Sequence, residues 1–205
     1  MMKESKKVYV IFGGSFNPPL NSHFSLAEQI INEYDNVKKV VFVPVNSLYK
    51  KADLIGNEHR YNMLKVVVDK NSKFMISRAE IDNSRPLYTI ETLKIVQEEY
   101  KGHDIWFTIG TDNLKTLHTW EKAEELVSNF KILILERDQD DMEEIIQNNE
   151  LLLKHKENFM KVKENVRSSL SSTFIRKKLV EGKSIRYFTP DEVYEYIKEN
   201  NLFSK

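Results

Sequence analysis

An uninterrupted apolar run near the start of the chain, residues 8–12, ends at the glycine pair Gly13 and Gly14. A run of this kind, closed by turn residues, is typical of a strand that is buried on both faces of a parallel sheet. A stretch with helical spacing of apolar residues follows, and the two patterns then alternate along the chain. We predict strands at 8–12, 40–43, 74–77, 105–109 and 132–135, and helices at 22–34, 60–68, 88–100, 173–181 and 191–200.

This alternation predicts an α/β fold in which a parallel sheet carries helices on both faces. In such sheets ligands bind beyond the carboxyl ends of the strands. We therefore expect the ligand-binding and catalytic residues in the loops that follow Phe12, Val43 and Ile109. Residues 138–165 depart from the pattern because an acidic stretch is followed by a basic one. We expect a surface helix and a connection there rather than a separate domain.

Charge and cysteine content exclude several classes of function. Lysine plus arginine number 31 and aspartate plus glutamate number 31, so the formal net charge is zero. A protein that coats nucleic acid needs a basic excess, so we expect no nucleic-acid polymer as a partner. The absence of cysteine excludes a disulfide framework, a thiolate metal site and a cysteine nucleophile, and it fits a cytoplasmic location. No stretch approaches the ~18 apolar residues of a membrane span.

The loop after the first predicted strand has the features of a phosphate site. Residues 12–23 read FGGSFNPPLNSH, in which the glycines allow a sharp turn and a close approach to a ligand. The helix that begins near Ser22 presents free amide groups and the positive end of its dipole to an anion. His23 lies in that first turn, where its ring either faces the same anion or caps and packs against the helix.

A strand followed by G-G-S-F-N-P-P, with a histidine opening the next helix, resembles the signature of the nucleotidyltransferases with the (H/T)-x-G-H motif. Within that superfamily the resemblance is to the bacterial nicotinate-nucleotide adenylyltransferases, which join the adenylyl group of ATP to nicotinate mononucleotide. Leu20 stands where the family has the first histidine or threonine of the motif, and Ser22 where it has glycine. The resemblance implies that Asn17 and His23 contact phosphates and act in catalysis. It implies an ATP-site lining of Gly13, Gly14, Ser15 and Phe16.

The resemblance also implies a fold and a domain organisation. The fold is a Rossmann-like doubly wound parallel sheet, the nucleotidyltransferase fold, with a small helical part at the C-terminus. The chain is expected to be a single domain over residues 1–205. Its parts are a core at 8–137, a variable charged insertion at 138–165, and a segment at 166–205 that clamps phosphate and ends in helices.

Two basic residues beyond the first loop are further candidates. The family carries P-P-H-K after the second strand, where this chain has SLYKK. Lys50 is retained there as a cation for ATP, with an exposed surface lysine as the alternative. Arg60 matches a family arginine at a helix start, and an ordinary helix-surface residue is its alternative. A net charge of zero still allows such cations to gather with His23 in a pocket for one triphosphate.

The stretch RPLYTIETL, residues 85–93, is similar to the family's P-S-Y-T-I-D-T-L. In the family this helix start helps to hold the nicotinate carboxylate, and a helix N-terminus suits a carboxylate. The resemblance assigns Tyr88 and Thr89 to the substrate. The alternative is that Thr89 caps the helix and Tyr88 packs against its neighbours.

The stretch GTDNLKTLHTW, residues 110–120, matches the family's G-x-D followed by L-x-x-L-x-x-W. Gly110 allows a close turn, and Asp112 can accept hydrogen bonds from ribose hydroxyls. The flat face of Trp120 suits stacking on a pyridine ring. The resemblance assigns Gly110 and Asp112 to ATP and Trp120 to the nicotinate ring, with core packing as the alternative for the tryptophan. We assign Trp106, inside a predicted strand, to the core.

The stretch SSTFIRKKL, residues 171–179, opens a predicted helix. Hydroxyls and free amides at a helix start cradle phosphate, and an arginine one turn later can clamp two oxygens. A capping box is the alternative, but no Glu or Gln follows at the required spacing. The family carries I-S-S-T-x-I-R at this point. The resemblance implies ATP contacts for Ser171, Ser172 and Thr173 and a catalytic role for Arg176.

The resemblance thus implies an adenylyltransferase of NAD biosynthesis that uses ATP and a pyridine mononucleotide. It implies Mg²⁺ carried on the ATP, no metal site built by the protein and no membrane partner. Nicotinamide mononucleotide or phosphopantetheine as the acceptor stays open, and so does assembly as a homo-oligomer. A nucleotide-binding paralogue with weakened catalysis is the alternative from another class, and it rests on Leu20, Ser22 and the altered loop at 47–50.

Overall fold

The computed structural model describes residues 7–49, 53–136, 139–163 and 170–203. Its strands are β1 (Val8–Gly14), β2 (Val37–Pro44), β3 (Phe74–Ile76), β4 (Asp104–Gly110), β5 (Lys131–Leu135) and β6 (Phe159–Lys161). They form one sheet in the order β3-β2-β1-β4-β5-β6, and every neighbouring pair is parallel. The chain order reverses between β1 and β4, which is the switch point of a doubly wound sheet. The predicted α/β class is confirmed.

The strands are connected mainly by helices. These are α1 (Asn21–Glu33), α2 (Asn57–Val68), α3 (Thr89–Glu99), α4 (Thr111–Leu114), α5 (Ala123–Asn129), α6 (Met142–Gln147), α7 (Glu150–Lys154), α8 (Ser172–Val180) and α9 (Asp191–Glu199), with 3-10 helices at Leu117–Thr119 and Lys156–Asn158. The five helices predicted from the sequence correspond to α1, α2, α3, α8 and α9. No helix within the described ranges is long and apolar enough to cross a membrane.

The charged segment at 138–165 contributes a strand that the sequence does not predict. The structure places two short helices there, α6 and α7, and then β6, which extends the sheet beside β5. Phe159 of β6 lies opposite Ile132 of β5 and is buried in the core. A strand of three residues within a lysine-rich stretch has too few positions to reveal an apolar pattern.

The core lies on both faces of the sheet because alternate residues of each strand point to opposite sides. Ile11 packs on one face with residues of α3 and α5, while Val10 and Phe12 pack on the other face with residues of α1. A third apolar cluster, which includes Leu20 and Ile175, joins α2, α8 and α9. This third cluster fixes the start of α8 beside the loop that follows β1.

Candidate active site

A cleft with a volume of about 480 Å³ opens at the carboxyl ends of the central strands. Its wall carries most of the sequence-predicted site residues, namely Gly13, Gly14, Ser15, Phe16, Asn17, His23, Thr89, Asp112, Trp120, Ser171, Ser172, Thr173 and Arg176. Of the other predicted residues, Tyr88 and Gly110 are described but do not line this cleft, and Lys50 lies outside the described residues. Residues far apart in the chain therefore meet where the sheet topology predicts a ligand.

The loop after β1 has a constrained backbone. A Cβ atom on Gly14 would lie 3.0 Å from Cζ of Phe16, so a side chain there would displace the ring. Phe16 itself has a φ of 45°, in the left-handed region that bulky residues rarely adopt. Gly13 is less constrained, because a Cβ there would meet Phe107 at an ordinary 3.5 Å. The loop thus has a strained shape that its surroundings must maintain.

His23 lies on the cleft wall in the first turn of α1, and its ring orientation is fixed. Nδ1 accepts a hydrogen bond from the backbone N–H of Leu20 at 2.9 Å. The rings of Phe12 and Phe16 lie edge-on to the imidazole, with centroid distances of 6.2 and 5.2 Å. A neutral imidazole that accepts at Nδ1 carries its proton on Nε2. His23 therefore caps the helix and also has a donor at Nε2.

The start of α8 is bonded to the loop after β1. Ser171 caps the helix, because its Oγ accepts a hydrogen bond from the N–H of Phe174 at 3.2 Å. Ser172 Oγ donates to the carbonyl oxygen of Pro18 at 2.9 Å. These contacts bring the N-terminus of α8 to the same cleft as that of α1, and two helix N-termini favour an anion between them.

Arg176 and Asn17 extend the contact between α8 and this loop. Arg176 donates through Nη1 to the carbonyl oxygen of Asn17 at 3.1 Å and through Nη2 to the hydroxyl of Thr173 at 3.3 Å. The amide side chain of Asn17 donates to the carbonyl oxygen of Asp53 at 2.7 Å and accepts from the N–H of Ile55 at 3.4 Å. The Asn17 amide thus holds the loop at 53–55 while its carbonyl holds Arg176.

The start of α3 forms another part of the wall through Thr89, its first residue. Tyr88 precedes it and is 56% exposed. Glu91 accepts hydrogen bonds from the N–H of Tyr88 at 2.9 Å and from Nη2 of Arg85 at 2.6 Å. The Arg85 guanidinium lowers the pKa of the Glu91 carboxyl to about 2. This ion pair fixes the helix start and with it the position of Thr89.

The segment after β4 supplies Asp112 and Trp120. Asp112 is exposed in the first turn of α4, and Trp120 follows the 3-10 helix Leu117–Thr119. One part of Trp120 packs against the core and another part reaches the cleft. Gly110 ends β4 with a φ of −79°, which any residue can adopt, so the turn itself does not require glycine.

Two carboxylates on the wall were missed by the sequence reasoning. Glu80 accepts a hydrogen bond from the hydroxyl of Thr92 at 2.9 Å, and burial raises the pKa of its carboxyl. Glu136 is 3% exposed and forms an ion pair with Nζ of Lys161 at 2.7 Å. Glu136 directly follows β5 and Glu80 follows β3. The rule that sites lie beyond the carboxyl ends of strands could have found both.

Arg60 lies in neither place that the sequence suggested. It is fully buried, so it is not a helix-surface residue, and it is not part of the cleft wall. Its Nη1 donates to the carbonyl oxygen of Ser15 at 3.1 Å, behind the loop after β1. Among the lysines and arginines of the described ranges, Arg176 is the one on the wall. Of the cations expected to gather at the triphosphate site, the wall within the described residues carries only His23 and Arg176.

Comparison with known proteins gives the family. A family model described as cytidylyltransferase-like matches residues 11–178. A relative from Caldicellulosiruptor bescii, described as a probable nicotinate-nucleotide adenylyltransferase, is 34% identical over 196 residues, which cover 95% of this chain and 98% of the relative. The chain belongs to the nicotinate-nucleotide adenylyltransferase family. A relative from Clostridium botulinum with the same description is 32% identical over 197 residues, covering 94% of this chain and 97% of the relative.

The fold agrees with membership of the nicotinate-nucleotide adenylyltransferase family. A solved structure of Plasmodium falciparum nicotinic acid mononucleotide adenylyltransferase, complexed with NaAD, superposes with a TM-score of 0.78. The superposition covers 96% of this chain and 97% of the Plasmodium falciparum chain, and the two sequences are 23% identical. Likeness at this identity concerns the fold alone, and it confirms the nucleotidyltransferase arrangement of the sheet.

Leu20 is where this member of the nicotinate-nucleotide adenylyltransferase family departs from the motif. Its side chain is 1% exposed and belongs to the apolar cluster that includes Met63 and Ile175. It also lies on the cleft wall. Its backbone N–H donates to Nδ1 of His23, and its carbonyl oxygen accepts from the N–H of His23 at 3.0 Å. The substitution thus leaves the fixed orientation of His23 in place.

Proposed function

We propose that the chain transfers the adenylyl group of ATP to nicotinate mononucleotide, which gives deamido-NAD and pyrophosphate. One observation carries the proposal, namely that a single cleft contains His23 and Arg176 together with Trp120 and the start of α3. Cationic and donor groups at helix starts suit phosphates, and an aromatic plane beside a helix N-terminus suits a pyridine carboxylate. The relatives that are named for this reaction support the choice.

The reaction would be an in-line displacement. A 5′-phosphate oxygen of nicotinate mononucleotide forms a bond to the α-phosphorus of ATP, the bond from that phosphorus to the β-phosphate oxygen breaks, and pyrophosphate leaves. No covalent enzyme intermediate is needed, so catalysis consists of positioning and charge stabilisation. In this proposal Nε2 of His23 and the guanidinium of Arg176 donate to phosphate oxygens.

Mg²⁺ belongs to the proposal as a part of the ATP substrate. Within the described ranges, no group of three or more His, Cys, Asp or Glu side chains could hold a metal ion. We propose that the triphosphate holds the Mg²⁺, because this ion commonly binds through substrate phosphates and keeps several waters. When bound, it neutralises charge on the phosphate oxygens.

We also propose that residues 1–205 form one nucleotidyltransferase domain, with the core at 8–137, the insertion at 138–165 and the C-terminal part at 166–205. The pairing of β6 with β5 supports a single domain, since it joins the insertion to the sheet. A cytoplasmic location and assembly as a homo-oligomer stay predictions.

Two alternatives are retained. Trp120 and Thr89 on one wall favour a pyridine nucleotide over phosphopantetheine, while nicotinamide mononucleotide would use the same two residues. The second alternative is a paralogue that binds nucleotide with weakened catalysis, and Leu20 and Ser22 are its basis. It predicts tight ATP binding without release of pyrophosphate.

A pyrophosphate-release assay decides between these functions. The wild-type protein is given ATP and Mg²⁺ with nicotinate mononucleotide, nicotinamide mononucleotide or phosphopantetheine in parallel. We expect the highest kcat/KM with nicotinate mononucleotide. We expect His23→Leu to lower kcat about 100-fold, because the Nε2 donor to developing charge is lost. Release of pyrophosphate with none of the acceptors would refute the proposal.

The matched control is His118→Leu. His118 is exposed and does not line the cleft, so its substitution should leave kcat within about twofold of the wild type. A similar loss of rate in both histidine variants would argue against a specific role for His23.

A further inference from the structure

Arg60 is a buried charge with donors aimed at three separate points of the chain. It lies in the first turn of α2 and is 0% exposed. Nε donates to the carbonyl oxygen of Ile55 at 3.0 Å, and Nη1 donates to that of Ser15 at 3.1 Å. Nη2 donates to Oδ1 of Asn57 at 2.7 Å. Burial of a charge is costly without such partners, so these bonds are what keep the side chain inside.

Asn57 and Asn46 carry these contacts on to two further loops. Oδ1 of Asn57 also accepts from the N–H of Ser47 at 2.6 Å, and Nδ2 donates to the carbonyl oxygen of Ile81 at 3.1 Å. Asn46 is 1% exposed and donates to the carbonyl oxygen of Glu80 at 3.0 Å. We call Asn46, Asn57 and Arg60 the polar cluster. It joins the loop after β1 to the loops after β2 and β3.

The bond from Arg60 to Ser15 acts on the strained part of the loop after β1. Ser15 precedes Phe16, whose φ of 45° lies in the left-handed region. Such conformations persist only where the surroundings over-determine them, and they are frequent at functional sites. A bond from the N–H of Val45 to the carbonyl oxygen of Gly14, 3.0 Å long, holds the same loop from β2. Without Arg60 this loop would be held at fewer points.

The positive charge of Arg60 is stabilised by a carboxylate on the cleft wall. Burial lowers the pKa of Arg60 to about 10, and the nearby Glu80 carboxylate acts in the opposite direction. Arg60 therefore stays ionised at neutral pH. Glu80 is in turn bonded to Thr92 of α3. The polar cluster thus reaches the helix whose start carries Thr89.

We propose that Arg60 is a positioning residue that holds the loop at 13–17 in register with the segment at 80–92. The assignment of these segments to ATP and to the pyridine mononucleotide rests on the proposed function. Arg60 touches no substrate in this proposal. It holds the backbone of Ser15 directly and that of Ile81 through the side chain of Asn57. Since a displacement of about 1 Å can lower an enzymatic rate ~100-fold, turnover should depend on Arg60.

The first test measures hydrogen–deuterium exchange without any nucleotide. Arg60→Met removes all three donated bonds and keeps a side chain of similar length. We expect faster exchange at 13–17 and at 80–92. The control is Arg78→Met, which removes exposed ion pairs to Glu58 and Asp82 near the same segments. Exchange in Arg60→Met that rises only around 55–60 would overturn the proposal, as would equal rises in both variants.

The second test measures turnover at a temperature where near-ultraviolet circular dichroism shows Arg60→Met to be folded. We expect kcat to fall about 100-fold, while Arg78→Met stays within about twofold of the wild type. A purely structural role would lower the melting temperature and leave kcat of the folded protein unchanged, which would overturn the proposal. A wild type inactive with every acceptor would refute the proposed function, and the exchange test would still decide whether Arg60 holds the two segments.

Asn57→Asp tests the connection to Ile81 separately from the connection to Ser15. It also takes the place of Arg60→Met if that variant does not fold. The aspartate keeps an acceptor for Arg60 and Ser47 but loses the donor to Ile81. We expect faster exchange at 80–92 alone, with 13–17 at its wild-type rate. Faster exchange in both segments, or in neither, would contradict the role of the polar cluster as the connection.

Discussion

Two arginines near helix starts donate to carbonyl oxygens of the same loop, and they differ in their surroundings. Arg60 is fully buried and holds Ser15 from the interior, whereas Arg176 is partly exposed on the cleft wall and holds Asn17. Arg176 can exchange a protein acceptor for a ligand oxygen because it lines the cleft, whereas Arg60 does not line it. The two residues are of the same type and both lie near a helix start, so burial is what distinguishes them. The buried Arg60 supports the loop, and the partly exposed Arg176 is available for the reaction.

The largest expected difference between the two arginines concerns stability. Arg60→Met should lower the free energy of unfolding by about 3–5 kcal/mol, because it leaves the partly buried acceptors on Ile55, Ser15 and Asn57 without the donors of Arg60. Arg176→Met should cost less than about 1 kcal/mol, because water replaces the lost contacts of a partly exposed side chain. Urea unfolding followed by circular dichroism measures both values. Equal losses would break the distinction between interior and wall.

The cleft wall could be predicted from sequence because its residues occur in short local patterns. Gly14 and Arg176 each belong to a run of neighbouring residues at a predicted strand end or helix start. Five of the six strands and the longer helices were predicted for the same reason, since periodicity is a local property. β6 was missed because three residues carry no period.

The contacts by which Arg60 supports the loop from the interior could not be predicted from local patterns. The burial of Arg60 depends on the backbone of Ser15, which is distant in the chain and is brought close only by the pairing of β1 with β2. An arginine at a helix start is otherwise a typical surface residue. The place of Glu80 after β3 was a usable signal, but its contact with Thr92 could not be predicted, because that contact forms only after α3 packs beside the loop that follows β3.

Leu20 tests the boundary between interior and wall, because its side chain lies in an apolar cluster and also lines the cleft. Leu20→His should lower the free energy of unfolding by about 1–3 kcal/mol, since an imidazole replaces an apolar group beside Met63 and Ile175. The family resemblance predicts higher turnover in the same variant, because a phosphate donor is restored. Urea unfolding and the pyrophosphate assay measure the two effects separately.

The control for this variant is Leu20→Met, which conserves volume and apolar character. It should cost less than about 1.5 kcal/mol and leave turnover unchanged. Lower stability with no gain in turnover for Leu20→His would mean that position 20 belongs to the interior alone. A gain in turnover would assign it to the wall as well.

Substitution of Trp120 gives the smallest expected effect, a change in KM. It tests a part of the cleft wall that neither arginine contacts. Trp120→Ala should raise the KM for nicotinate mononucleotide about tenfold, which corresponds to the loss of one stacking contact, and leave the KM for ATP within about twofold. Trp106→Phe, in the core strand β4, is the control and should leave both KM values unchanged. Equal increases for both substrates would contradict stacking. A selective increase would separate a wall residue that binds one substrate from Arg60, whose loss should disturb the segments assigned to both.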